Sequence, residues 1–255
     1  MSSSVAAATA ATLREMNPFC NVEVVAGDGD GFAGVTADSL TGCDVVLVCG
    51  APLTEAARIN EACRSVGAAF FAADCRSSSA NFFADLGAAF TYTVPKTVPG
   101  GAKDAAGDPH EQDRRTSTFV PLRQAMASKW SAMGENREGG LRRVNKLAAA
   151  YLHCAAFEGA HGRRPAAGDV PALVEGIAAA EVANGVKPGW LPTGTLEDFV
   201  GVDGCEMPAV AAVVGGILGQ ELLRAVTGKG EPVRNAFFFT MANSQGTIEN
   251  IGCPP

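Results

Sequence analysis

The sequence predicts an α/β fold with a partly parallel sheet, and three observations carry that reading. Asp44-Val45-Val46-Leu47-Val48-Cys49 is a continuous apolar run of the kind a strand covered on both faces shows. Leu53, Ala56, Ala57, Ala62, Cys63 and Val66 then recur near helical spacing. Ala68 to Ala73 reads as the next strand. Strand, helix, strand in that order is the unit from which parallel sheets are built.

The remaining elements follow in chain order. Ala6 to Met16 is rich in helix formers and Asn17-Pro18 ends it, because the proline ring disfavours helical geometry in the residue before it. Val22, Val24 and Val25 form a short β-branched run that predicts a strand, central like Asp44 to Cys49. A further strand is expected near Phe90 to Val94. Pro95 to Thr118 holds prolines, glycines and mixed charges without apolar periodicity, which predicts a mobile loop over 95–118. A helical insertion over 119–185 forms a block of its own: Leu122 to Trp130; Leu141, Val144, Leu147, Tyr151 and Ala155; then Leu173, Ile177, Ala180 and Val182, opened by Asp169 with Pro171 in the first turn. Residues 205–252 supply a returning helix, Pro208 to Thr227 closed by Gly228, and a hairpin, Phe237 to Thr240 and Thr247 to Ile251 around Asn243-Ser244-Gln245-Gly246. The whole reads as one domain over 1–255. A doubly wound domain normally opens on a strand whose following loop holds phosphate, whereas this chain opens in a helix, so the first βαβ segment is expected to be missing.

Composition narrows the function. The chain has 255 residues and a net charge of −7, so nothing electrostatic favours a nucleic-acid partner. With 47% hydrophobic and 18% charged residues it lies in the globular range. The longest uncharged apolar stretch, Met207 to Gln220, covers 14 residues where a bilayer needs about 20, so no membrane span is expected. Met1 to Thr12 lacks the charged front of a secretory signal. Eight cysteines with no CxxC pair suggest a reducing compartment, cytosolic or nuclear.

Chemical motifs are few. Gly29-Asp30-Gly31-Phe32-Ala33-Gly34 matches GxGxxG, but only Val35 to Thr41 separates it from Gly42 and the next strand, which leaves no helix to present backbone N–H groups to phosphate. Asp28 and Asp30 would repel a diphosphate, so the segment reads as a solvated turn. Asp28-Gly29-Asp30 starts like a calcium loop, yet Ser39 stands where the loop's closing glutamate belongs. His110, His153 and His161 lie far from any paired cysteines, so no metal site is expected. Cys43, Cys49 and Cys63 lie in or beside apolar runs and read as buried thiols; Cys205 adjoins Glu206, whose charge raises a thiol pKa. No hydrolase elbow, phosphate loop or zinc-protease helix is present.

Glycines in the late helix need a reason. Gly215, Gly216 and Gly219 each cost about 1 kcal/mol of helix propensity relative to alanine. Close approach of another backbone, within the domain or across a subunit boundary, would offset that. An ordinary core helix is the competing reading, and both stay open here. Pro208, Gly215, Gly216, Gly219, Gln220 and Glu221 are the packing or interface candidates, with Gln220 and Glu221 beginning the polar end.

Several stretches together resemble one family. They are Met16-Asn17-Pro18, Cys43-Asp44-Val45-Val46-Leu47, Asn60-Glu61-Ala62-Cys63, Leu196-Glu197-Asp198-Phe199-Val200, the long block Glu206 to Glu221, and Asn235-Ala236-Phe237-Phe238-Phe239. In this order and spacing they resemble the ThiF-like, Rossmann-type adenylation fold of ubiquitin-like modifier activating enzymes. Within it they are most similar to the non-catalytic branch, the regulatory subunits of heterodimeric SUMO-activating enzymes. The resemblance covers roughly Leu13 to Gly252.

It implies a scaffold role. Active members follow the strand corresponding to Asp44 to Cys49 with an Asp-Asn pair and then an Arg that help hold ATP, magnesium and the modifier's C-terminus. The matching positions here are Ala51, Pro52 and Ala56; Arg58, two positions off, is not assigned that role. Without the carboxylate a magnesium-bound triphosphate loses an oxygen ligand. The resemblance therefore implies no catalytic residue and no cofactor in this chain, with ATP and Mg on a catalytic partner subunit that adenylates SUMO and forms the thioester. It also implies a nuclear location, with the cytoplasm second. Two alternatives are a regulatory subunit for another modifier, as in neddylation, against which the short helical stretch Leu122 to Asn184 argues, and a self-sufficient adenylating or dinucleotide enzyme using the Gly29 to Gly34 turn.

Overall fold

The structure is a computed structural model that describes residues 5–25, 31–95, 112–135, 138–200 and 206–254. Two compact units divide the chain, Met1–Val35 and Thr36–Pro255. In the first, α1 (Val5–Met16) ends where the Asn17 N–H donates to Leu13 O at 3.0 Å and Asn17 Oδ1 accepts from Phe19 N at 3.2 Å. The strand expected at Val22 to Val25 is absent. Those residues form no ladder among the described residues and Val25 is 88% exposed, because β-branched content makes a strand only where another strand pairs with it. Asp28, Gly29 and Asp30 lie outside the described residues; Gly31 to Gly34 is an irregular turn, and among the described residues of this unit no strand precedes it.

The second unit opens with α2 (Ala37–Leu40), capped reciprocally by Thr36 and Ser39. Then come β1 (Val45–Cys49), α3 (Leu53–Val66) and β2 (Ala69–Arg76), with β1 and β2 parallel in the register Val45↔Ala69 to Cys49↔Ala73. Gly67, at φ 79°, closes α3 in the left-handed conformation that only glycine adopts cheaply. Next is β3 (Ser79–Asp85), antiparallel to β2 and buried along its whole length; no strand was expected there. The Ser77-Ser78 turn, with Ser77 at φ 48°, separates two strands that the serine run hides in the sequence.

Strand β4 (Phe90–Pro95) pairs antiparallel with β5 (Gln112–Ser117) as a separate two-stranded sheet. The expected mobile loop over 95–118 is thus corrected at its far end, where Gln112-Asp113-Arg114-Arg115-Thr116-Ser117 forms a ladder without apolar alternation; residues 96–111 lie outside the described ones. The helices that follow are α4 (Leu122–Met126), α5 (Lys146–His161), α6 (Val170–Ala183) and α7 (Thr193–Val200). Helix α4 stops short of Trp130, which begins a 3₁₀ turn, and α5 starts at Lys146 rather than near Leu141, with Asn145 as its cap. They lie in the same compact unit as the sheet, with α5 packed on α3. Helix α8 (Pro208–Thr227), closed by Gly228 at φ 61°, precedes the hairpin β6 (Ala236–Thr240) and β7 (Gln245–Glu249).

The main sheet runs β1-β2-β3-β6-β7, parallel only between β1 and β2. Strand β1 is therefore an edge, not the central strand its apolar run suggested, and Leu47 is 41% exposed. One face of the sheet packs under α8 through Phe71, Phe82, Phe237 and Phe239 against Val210, Val214 and Leu218. Phe82 stacks on Phe237 at 5.2 Å. Phe238 points to the other face and meets Tyr151 of α5 edge-on at 5.7 Å. Phe70, Phe71, Phe82, Phe83 and Phe238 are all essentially without exposure, and each fully buried aromatic contributes about 1.5–3 kcal/mol.

Polar side chains from distant segments fix how the helices meet this sheet. Asn60 of α3 donates to Asp85 Oδ2 at 2.7 Å and accepts the Leu122 N–H, the first of α4, at 2.8 Å. Arg64 holds both Asp85 oxygens at 2.7 and 2.8 Å and donates to Phe119 O at 2.7 Å. This is the local meaning of Asn60-Glu61-Ala62-Cys63: one residue wires α3 to β3 and α4, and Cys63 packs below it.

Candidate functional site: the β1–α3 turn and the open face of α8

Ala51, Pro52 and Ala56 sit together where β1 hands over to α3, with Ala51 and Ala56 buried. The first residue of α3 has no side-chain cap of its own. Instead Glu158 of α5 reaches across and accepts the Leu53 N–H. A carboxylate at a helix N-terminus is favoured by the dipole and by the orphan N–H groups there.

A second clasp lies beside it. Asp74 of β2 is held on one oxygen by Arg76 at 2.7 Å and on the other by Arg164 at 3.0 Å, while Arg164 also donates to Ala51 O. The Arg76 guanidinium lies 5.4 Å from the Phe199 ring centre. Burial pushes the Glu158 carboxyl above its ordinary value, against the pull of the Leu53 N–H, Arg164 and Arg76. Burial likewise raises Tyr151, and takes Cys154 up to about 12.

The space these groups enclose is about 20 Å³, room for one water. Ligand sites for nucleotide-sized molecules begin at about 300 Å³. Among the residues lining this space the one carboxylate, Asp74, already has both oxygens committed to arginines. The residues here therefore do not fit a magnesium-bound triphosphate, and no chemical step is derived through one. What the arrangement does is structural: it ties the β1–α3 turn to α5 and β2. Glu158 and Arg164 carried no motif in the sequence, because their partners Leu53 and Asp74 lie about a hundred positions away, and the short-range Asp74–Arg76 pair matches no motif on its own.

Helix α8 buries one stripe only. Val210, Val214, Leu218 and Glu221 face inward. Pro208, Gly215, Gly216 and Gln220 are exposed and Gly219 is half-buried; a methyl group added at any of the three glycines meets nothing within 4 Å. Among the described residues nothing stands within 4 Å of where a side chain would begin at these glycines, so no close packing partner for them is found there. Leu223, Val226 and Val213 are exposed on the same helix, at 65%, 61% and 43%.

Three expectations need correcting. Glu221 does not begin a solvated end: its carboxylate is buried, accepts the Val233 N–H at 2.8 Å and pairs with Arg224, which places it among the fold's internal contacts. The uncharged-stretch count also understated α8, whose 20 residues are long and apolar enough to cross a membrane by length and composition; its inward stripe is spent on the sheet. Among the thiols, Cys63 is buried and its pKa rises to about 11, whereas Cys43 and Cys49 are exposed rather than buried as expected; Cys205 lies outside the described residues.

Comparison with known proteins adds two findings. The model of the ThiF family matches residues 3–255. SUMO-activating enzyme subunit 1B-1 of Arabidopsis thaliana is 29% identical over 245 residues, covering 94% of this chain and 69% of that protein. SUMO-activating enzyme subunit 1A of the same plant is 29% identical with the same coverage. SUMO-activating enzyme subunit 1 of Xenopus laevis is 29% identical over 254 residues, covering 94% of this chain and 71% of its own length.

Proposed function

The chain belongs to the ThiF family, and from that premise we propose that it is the regulatory, scaffold subunit of a SUMO-activating enzyme, lending its surface to a catalytic partner. The partner holds ATP and magnesium, adenylates the modifier's C-terminal carboxylate and carries it as a thioester. This chain contributes no reacting group. On this reading it works in the nucleus, in a heterodimer.

The observation that carries the proposal is the pairing of a closed turn with an open helix. Where active relatives of this fold need a carboxylate, this chain has Ala51, Pro52 and Ala56, with Ala51 and Ala56 lining a one-water space. Beyond its buried stripe, α8 leaves Gly215, Gly216, Val213, Leu223 and Val226 exposed. Exposed apolar patches rimmed by polar residues mark interaction surfaces.

Co-expression with the catalytic subunit of a SUMO-activating enzyme tests the idea. The expected result is a stable one-to-one complex that forms the SUMO thioester when ATP is added, while the isolated chain neither binds ATP nor exchanges pyrophosphate into it. Failure to form the complex, or ATP–pyrophosphate exchange by this chain alone, would sink the proposal.

A further inference from the structure

We propose that the cleft between the carboxyl ends of β1 and β2 and the glycine face of α8 receives one lysine or arginine side chain of the protein partner, with Glu206 as its counter-ion. The partner's existence rests on the scaffold reading above. The cleft does not: it is a feature of this chain's own residues.

It measures about 220 Å³ and is walled by Cys49, Cys75, Val214, Leu218 and Gly215, with Glu206 at its polar end. That is below the roughly 300 Å³ at which metabolite sites begin, so it suits a single extended side chain. Lysine and arginine bury an aliphatic stem against apolar walls and carry the charge at the tip, which is the distribution these walls ask for. The opening is unobstructed because Gly215 has no Cβ and nothing stands within 4 Å of where one would be.

The sign of the charge follows from what is already paired. Asp74, on β2, also borders the cleft, but both its oxygens are held by Arg76 and Arg164, which line the space on the α5 side of the sheet. Glu206 lies on the α8 side, its backbone bridged to Ser77 beside β2, and among the described residues no cation pairs with its carboxylate. The two thiols register that field: burial first, and then the carboxylates Asp74 and Glu206, raise the pKa of both Cys49 and Cys75. A diphosphate or carboxylate ligand would be repelled here. A cationic tip would be held by a charge-assisted pair with the exposed Glu206 carboxylate at the mouth of the cleft. Beside the cleft, Met207 just before α8 and Val213 on it are exposed, the kind of apolar patch that a protein partner covers.

Two measurements test this. Butylguanidinium chloride, the arginine side chain without its backbone, is titrated into the isolated chain while the backbone amide resonances of Cys75 and Gly215 are followed. A saturable shift is expected, weakened about tenfold or more in Glu206→Gln, as loss of a charge-assisted contact predicts. In the complex with the catalytic subunit, Glu206→Lys is expected to weaken association by about tenfold or more without changing the melting temperature of the isolated chain. Absence of a saturable shift, or Glu206→Gln titrating like the unmodified chain, overturns the cleft. A complex that forms equally well with Glu206→Lys overturns its use by the partner. An unmodified chain that binds butylguanidinium but no catalytic subunit defeats the scaffold reading and the partner named here, and leaves the cation cleft standing.

Discussion

Glu158 on α5 accepts the backbone N–H of Leu53 at the start of α3, a contact that spans 105 positions of the chain. The carboxyl is buried, so removing it leaves an orphan N–H and a void. Glu158→Ala is expected to destabilise the second unit by about 2–4 kcal/mol, the sum of an unsatisfied donor and a small cavity. Glu158→Gln keeps the acceptor and should cost less than about 1 kcal/mol at acidic pH. Because burial raises the folded-state pKa above the ordinary value of 4.5, Glu158 supports folding fully below that value and progressively less as pH rises through the folded pKa. Urea denaturation across that range should find Glu158→Gln gaining on the unmodified protein as pH rises; a constant difference would contradict the buried-acid assignment.

Asn60 offers a cleaner stability test because it carries no charge. Its side chain satisfies Asp85 and the first N–H of α4 at once. Asn60→Ala orphans the Leu122 N–H and leaves Asp85 still paired with Arg64; an unsatisfied buried group costs about 1–3 kcal/mol, so a loss in that range is expected by urea denaturation. Asn60→Asp would place a second carboxylate against Asp85 and is expected to be worse still at neutral pH.

These two contacts mark where legibility ends. Helix α8 was readable to the residue because Pro208 opens it and Gly228 closes it, and Gly67 and Asn17-Pro18 punctuate equally plainly. Strand β5 was not, since Gln112 to Ser117 puts polar groups on both faces and is held by ladder bonds to β4. Strand β3 was hidden by the serines before it, although Phe82 and Phe83 are among the most buried residues. The caps of α3 and α4 come from Glu158 and Asn60, far away in sequence, so no local rule finds them. The degenerate positions Ala51, Pro52 and Ala56 could be located by family resemblance, whereas the arginine clasp that fills their surroundings could only be seen in three dimensions.

Thiol chemistry separates the cysteines by location. Cys43 and Cys49 are exposed, while Cys63 and Cys154 are buried with pKa values raised to about 11 and about 12. The thiolate is the reactive form. Brief alkylation with iodoacetamide at pH 8, read by peptide mass spectrometry, is expected to modify the exposed Cys43, to modify Cys49 more slowly because its surroundings raise its pKa, and to spare Cys63 and Cys154 until denaturant is added. Early labelling of Cys63 would mean that α3 does not stay packed on β2.

Gly216 distinguishes a helix waiting for a partner from one that is merely weak. It is exposed in the middle of α8, with open space where a side chain would go. In the isolated chain the only consequence of Gly216→Ala is a better helix former, so it should stabilise by about 1 kcal/mol. For a unit of this size that corresponds to a melting temperature higher by about 2–4 °C. Gly216→Trp should likewise fold, since the ring projects into solvent. In the complex the sign reverses: if another backbone lies close against this face, the tryptophan holds it away and association is lost, while alanine weakens it only modestly. Differential scanning calorimetry on each variant, paired with calorimetric titration of the catalytic subunit, gives both halves. Glycine retained at a cost to the lone chain and needed in the assembly is the signature of a surface shaped for contact; a Gly216→Trp chain that binds as tightly as the unmodified one would place the partner elsewhere.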